Sequence, residues 1–322
     1  MNRVKNRGLW LTVGLTLAVG LWPPLTGDAN NREIVVTILM YAALASSLNL
    51  MLGYTGYVNF GHIVFWGLGA YVGFYLMSAL NMPLVVAVLG GGAASGLIAM
   101  LLGQAILRLR GAYFALATIG INEAARAFVS NFEPFGGPTG MSLNFKVYNA
   151  YGGAMQSLWI VYWAMLLLAI AAIVLSYAIK SSKFGLGLTA IRENEDAAEV
   201  MGVFTPTTKA WAYVLSAIIP GMAGVLFFFK NGNIEPVDAF RLHTSIEIIV
   251  MVMLGGQGTL LGPILGAGIY ERLRGLLLVS PLFKNIQLVV AGIILLLIVL
   301  FIPAGVVGWL RRRILPLREW VE

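Results

Sequence analysis

At 322 residues, with 59% hydrophobic and 11% charged residues and a mean hydropathy of +0.85, the chain has too little polar surface to coat a soluble globule, and it belongs in lipid. The net charge of +7 does not point to nucleic acid, because Lys and Arg sit in short runs at the edges of apolar segments, the pattern that sets membrane topology. There is no cysteine, which excludes disulfides, thiol chemistry and Cys-ligated metals.

A bilayer core of about 30 Å needs roughly 20 apolar residues per helical crossing. Leu158 to Ile179 is apolar on every face, whereas a membrane barrel strand would alternate, so the fold class is an all-α polytopic membrane protein. Arg3, Lys5 and Arg7 ahead of the run Leu9 to Trp22 resemble a secretory signal. Only Pro23-Pro24 and a polar loop follow, without a small-residue cleavage site, and the segment is read as an uncleaved first helix. Helices near 9–25 and 33–52 cross out and back around an outer turn from Gly27 to Arg32. Helices near 60–80 and 84–107 repeat the excursion and end at Arg108 and Arg110, which belong in the cytoplasm. A helix near 111–130 leads to a periplasmic loop, 131–157, containing the turn-forming run Pro134 to Gly140. The next helix, near 158–179, returns to Lys180, Lys183 and Arg192, so 180–208 is cytoplasmic. A helix near 209–229 exits, and a last one near 285–303 returns to Arg311, Arg312, Arg313 and Arg318. Between them, 244–280 needs an even number of crossings, which two short helices broken around Gly255 to Pro263 supply. The reading is 8–10 transmembrane helices, some short or broken, in one domain over 1–322 with both termini cytoplasmic.

One internal echo links Met51-Leu52-Gly53-Tyr54-Thr55-Gly56 to Met253-Leu254-Gly255-Gly256-Gln257-Gly258. A Gly-x-Gly-x-Tyr follows each, at Gly67-Gly69-Tyr71 and Gly266-Gly268-Tyr270, which fits either two related half-domains or coincidence in a Gly-rich chain. Most of the 38 glycines suit close helix packing. Near Gly53 to Gly61, Asn59 and His62 bring polar side chains into an apolar stretch, so that segment is a candidate for lining a path. In the helix near 111–130, Asn122, Glu123 and Arg126 sit together, with Glu123 and Arg126 spaced i, i+3. A charge at the bilayer centre costs about 2.5–3.5 kcal/mol on insertion scales, so these residues either serve a path or gate, or form an intrahelical pair near the outer interface. Glu247 and the group Glu271, Arg272 and Arg274 are read as paired groups or helix ends.

The segment Gly185 to Gly202 is the most informative. Glu193, Glu195 and Asp196 suit the first turns of a short helix that Gly202 terminates. Ala197, Ala198, Val200 and Met201 give it a small apolar side suited to a groove in another protein, or to an ordinary solvated connector.

Asp196-Ala197-Ala198-x-x-x-Gly202 resembles the Glu-Ala-Ala-x-x-x-Gly loop of ABC-importer permeases. Ala190-Ile191-Arg192-Glu193-Asn194-Glu195, Gly53-Tyr54-Thr55-Gly56, Asn59-Phe60-Gly61-His62, Gly136 to Gly140, and Met253 to Thr259 with Gly262-Pro263 resemble the branched-chain amino-acid importer permeases of the LivH/LivM family, nearer the LivM type. These matches run in family order from about 45 to 305, while Asp196 departs from the motif's Glu and no clean Ile-x-Leu-Pro follows Gly202. The resemblance implies a bacterial inner-membrane permease subunit for branched-chain or other neutral amino acids. Its implied partners are a second, LivH-like permease, two cytoplasmic ABC ATPases and a periplasmic substrate-binding protein. It also implies that Arg192, Glu193, Glu195, Asp196, Ala197, Ala198 and Gly202 form the coupling helix that docks on the ATPase.

No Gly-x-x-x-x-Gly-Lys-Ser/Thr occurs, so no phosphate-cradling loop is encoded. His62 and His243 are the sole histidines and no nucleophile-plus-base set is apparent, so neither a metal site, a cofactor nor an enzyme is expected. Urea or short amides are alternative substrates. A self-sufficient secondary transporter or channel is the alternative of another class, with Glu123, Arg126 and Glu247 as its candidate ion-coupling residues.

Overall fold

Long apolar runs closed by polar or glycine caps become helices here, and the computed structural model describes them over residues 2–279, 289, 292, 293 and 305–313. The chain runs α1 Asn2–Thr26, α2 Ala29–Thr55, α3 His62–Ser78, α4 Leu84–Ile106 and α5 Ala112–Ser130. Two 3-10 turns, strand β1 Met141–Ser142 and helix α6 Phe145–Asn149 lead to α7 Ala154–Lys180, α8 Lys183–Glu193, α9 Glu195–Val200 and α10 Thr205–Asn231. Strand β2 Asn233–Ile234, α11 Pro236–Ala239, α12 Leu242–Gly255, α13 Gly262–Val279 and α14 Gly305–Arg313 follow. The helix expected near 285–303 lies outside the described residues.

Among the described residues, five helices, α1 (from Gly8), α2, α4, α7 and α10, are long and apolar enough to cross a membrane by length and composition. Burial ranks them: 83% of the apolar window of α2 and 78% of that of α10 are buried, against 28% for α1, so α2 and α10 are the central pillars and α1 lies at the periphery. The short pair expected in 244–280 is present as α12 and α13, with the break at Gly256 to Leu261. Helix α3 is shorter than the predicted 60–80, because Asn59 to Gly61 form a turn ahead of it in which the Asn59 side chain accepts from the Gly61 N–H.

Local chemistry sets the ends. The Asp28 carboxylate accepts from the Asn30 N–H at the start of α2, and Gly56, at φ 77°, closes it in the left-handed conformation that a side chain disfavours. Small residues let the central helices touch: a Cβ on Gly69 of α3 would stand 2.5 Å from the Gly221 Cα of α10, and one on Gly91 of α4 would stand 2.6 Å from the Gly69 carbonyl. Ser95 of α4 donates to the Phe65 carbonyl at 2.8 Å across the same contact.

Two expectations need correction. The stretch 131–157 is not a plain loop, since β1 pairs antiparallel with β2, Met141 opposite Ile234, and the Tyr148 hydroxyl donates to the Phe229 carbonyl at 2.7 Å. The acidic helix does not start at Glu193. That residue ends α8, and Asn194, in extended conformation at φ −161°, breaks the chain and caps α9 by accepting from the Ala197 N–H at 3.0 Å. An asparagine amide competing for backbone donors favours a new N-cap over continuation.

Candidate functional site

The 180–208 segment folds back onto the end of the bundle formed by the C-termini of α2 and α4 and the N-terminus of α10. The Glu195 carboxylate is its anchor. It accepts from Lys209 Nζ of α10 at 2.7 Å and from the Tyr57 hydroxyl at 2.8 Å, and Arg110 lies 3.4 Å away. Lys209 Nζ also donates to the Tyr57 hydroxyl and, at 2.8 Å, to the Leu107 carbonyl that ends α4. The side chains of Lys209 and Glu195 are 5% and 12% exposed, so this is a nearly buried ion pair with its hydrogen-bonding groups satisfied. Burial pushes the Glu195 carboxyl up, but the hydrogen bonds from Lys209 and Tyr57 and the positive charges of Lys209 and Arg110 outweigh it and hold it below the usual carboxylate value.

Arg192, at the end of α8, reaches the other pillar: its Nη1 donates to the Gly53 carbonyl of α2 at 2.6 Å. Beneath it the two echoed glycine segments meet. The Asn49 side chain donates to the Thr259 carbonyl at 3.0 Å and accepts from the Gly258 N–H at 2.8 Å. A Cβ on Gly53 would lie 2.5 Å from the Gly258 nitrogen, so the approach depends on glycine.

The predicted coupling residues divide into two faces. Arg192 and Glu195 reach inward through their polar ends, and Ala198, 3% exposed, packs inside with Tyr54, Tyr57, Leu188 and Ile191. Glu193, Asp196 and Ala197 face out, and Gly202, at φ 90°, turns the chain after α9. The sequence groups Ala198 with Val200 and Met201 on one apolar side; the structure separates them, leaving Val200 and Met201 84–88% exposed, and Leu186 and Phe204 of the same segment are each about 70% exposed. The reason is the helical turn: in so short a helix, Ala198 stands three residues after Glu195 and shares its tethered face.

Among the candidate path residues, the structure brings Asn59, His62 and Asn122 to one seam. All three are fully buried, His62 against the Ser47 hydroxyl at 3.0 Å and Asn122 donating to the Phe240 carbonyl at 2.9 Å. The Thr118 hydroxyl, on the buried face of α5, accepts from the Phe60 N–H at 3.1 Å. Glu123 and Arg126 flank the buried face of α5, paired to each other at 2.7 Å and each about half exposed; Tyr113, Leu116 and Phe128 of the same helix are exposed as well.

Sequence reading misses Lys209 and Tyr57, whose contacts come from distant segments. Of the two readings of Glu247, a paired group or a helix end, the structure has the first. Glu247 is 4% exposed within α12, accepting from Tyr41 at 3.0 Å and Tyr270 at 3.3 Å, with Arg274 at 3.6 Å and His243 at 3.7 Å. Arg274 also lies 3.5 Å from Glu271.

Comparison with known proteins gives a consistent set. The family described as "Branched-chain amino acid transport system / permease component" matches residues 31–299. The chain is 27% identical to the high-affinity branched-chain amino acid transport system permease protein LivM of Salmonella typhimurium, over 96% of this chain and 77% of that protein. It is likewise 27% identical to the corresponding LivH of Escherichia coli, over 83% of this chain and 91% of that protein. No solved structure matches.

Proposed function

The chain belongs to the family of permease components of branched-chain amino acid transport systems, and from that premise we propose that it carries branched-chain or similar neutral amino acids through the bacterial inner membrane as one of two permeases in an ATP-driven importer. The family match across 31–299 carries this reading. The chain is a multi-pass membrane transport component and not an enzyme. ATP hydrolysis falls to separate cytoplasmic ATPases, and a periplasmic binding protein supplies the substrate. The positively charged ends at Arg108, Arg110 and Arg192 support a cytoplasmic side for the 180–208 segment and, with it, for both termini.

In this reading the ATPase seats on the outward face of α8–α9, where Leu186, Val200, Met201 and Phe204 expose an apolar patch beside Glu193 and Asp196. Closure of the ATPases pushes on that face. The inward face passes the displacement on, through Glu195 to Lys209 of α10 and Leu107 of α4, and through Arg192 to Gly53 of α2. Three spans thereby move together.

The Glu123–Arg126 pair supports a position for the second permease against α5. A half-exposed ion pair on a membrane helix is costly against lipid and acceptable against protein or water, so that face of α5 lines the passage between the two permeases. Asn59, His62 and Asn122 lie fully buried behind it and meet a passing side chain only when that seam opens.

The test is uptake of labelled leucine, alanine and urea into proteoliposomes holding this chain with its ATPases, second permease and binding protein. Leucine uptake that requires ATP, and that falls in Met201→Glu with less ATPase bound, supports the reading. ATP-independent uptake by this chain alone defeats it.

A further inference from the structure

At the end of the bundle opposite the 180–208 segment, the fold forms a cavity of about 570 Å³ among α2, α3, α10, α12 and α13. That volume suits a small molecule, for which pockets run from about 300 to 1,000 Å³. Its lining separates by chemistry. One wall is apolar, with Met40, Phe227 and the Trp66–Phe228 pair whose rings are 4.5 Å apart. The opposite side carries His243 and Arg274, 27% and 29% exposed, held over the buried Glu247. The mouth carries Glu235, which has no ion pair among the described residues, whereas the neighbouring Asp238 is taken by Arg241. Arg274 is held from behind, its Nε 3.6 Å from Glu247 and its Nη1 donating to the Tyr41 hydroxyl at 3.4 Å.

We propose that this cavity binds the zwitterion of an amino acid with an aliphatic side chain: carboxylate towards Arg274 and His243, ammonium towards Glu235, side chain against the Trp66–Phe228 wall. The proposal rests on the importer reading and adds to it a holding site inside this chain, apart from the Glu123–Arg126 face. The lining discriminates by sign. A simple anion meets Glu235 and Glu247, and a simple amine meets Arg274. A zwitterion presents each sign to the side that takes it. Glu247, 4% exposed at the floor of the lining, is a positioning residue that keeps Arg274 and His243 together.

The chain has no cysteine of its own, so a single one reports the site cleanly. Thr244→Cys places a thiol in the lining, and its labelling by a maleimide is followed in the assembled transporter in liposomes without ATP, with Phe145→Cys as a control on the same side of the bundle. Leucine is expected to slow labelling at least threefold in Thr244→Cys and not in Phe145→Cys. Isocaproate, which lacks the ammonium, and isoamylamine, which lacks the carboxylate, are expected to slow neither. Adding Glu235→Gln or Arg274→Gln raises the leucine needed for protection about tenfold; Glu235 is exposed, so its variant remains informative if the Arg274 variant fails to fold. Protection that is absent, that is equal for the three compounds, that appears equally in the Phe145→Cys control, or that survives Glu235→Gln unchanged overturns the site. ATP-driven leucine uptake by the unmodified transporter is read in parallel. Uptake without protection sinks the site and keeps the importer, and zwitterion-selective protection without uptake sinks the importer and keeps the site.

Discussion

Replacing Lys209 with Met removes the cation at the centre of the Glu195 network while keeping most of its volume. Lys209 Nζ serves three acceptors, Glu195, Tyr57 and the Leu107 carbonyl, from a side chain that is 5% exposed. Breaking a buried pair by removing one partner costs about 3–5 kcal/mol, because the charge left behind is uncompensated. Glu195 keeps Tyr57 at 2.8 Å and the half-exposed Arg110 at 3.4 Å, so the expected cost is about 3 kcal/mol, at the lower end of that range. Removing both charges in Lys209→Met/Glu195→Gln leaves no orphaned ion, and most of the loss is regained. The assay is reversible unfolding of the purified chain in mixed micelles, as a double-mutant cycle. The Glu195 carboxyl is held below the ordinary glutamate value, so its contribution is complete above that value and disappears as pH falls through the lowered one. The single-mutant loss is therefore flat from about pH 6 to 8 and shrinks in acid. A Lys209→Met cost under about 1 kcal/mol, or single-mutant costs that simply add, would refute the argument that a buried pair anchors α9.

Arg192→Gln removes the bond to Gly53 while the outward docking patch stays intact, so ATPase binding and ATP hydrolysis persist while leucine uptake per ATP falls; unchanged stoichiometry counts against the latch. Val200→Arg changes an 88% exposed position, so the chain's own stability moves by less than about 0.5 kcal/mol while ATPase pull-down drops. Ala198→Arg, at 3% exposure, is expected to destabilise the permease before any partner is added, as thermal unfolding of the two variants side by side would reveal. Gly266→Leu forces side-chain atoms against the Met251 carbonyl between α12 and α13 and costs about 1–3 kcal/mol or more, visible as aggregation on size-exclusion chromatography.

The spans of α2, α4, α7 and α10 are legible in the sequence because uninterrupted apolar stretches of membrane length leave helices as the sole way to satisfy the backbone. The break between α12 and α13 is legible for the complementary reason, a glycine run that helices avoid. Lys209 is not: beside Trp211 it reads as one more basic flank of a span, and its burial follows from acceptors that lie 14, 102 and 152 positions away. The same holds for Glu247, whose partner Tyr41 is 206 residues distant. Asn194 is the one signal present in the sequence and passed over there, a strong N-cap residue ahead of Glu195 and Asp196 that already announces a new helix.

Helix α10, about 40 Å long over its 27 residues, has Lys209 moored near one end and the wall of the cavity, Phe227 and Phe228, near the other, about 28 Å from it. Midway lies Pro220, which has no N–H for the Ser216 carbonyl, next to Gly221, where both α3 and α4 press close. A weakened rung gripped on both sides is a fulcrum. Tilting the rod by about 5° around it swings each tip by roughly 2 Å in opposite senses, so a see-saw that spreads one end of the bundle narrows the other in the same stroke.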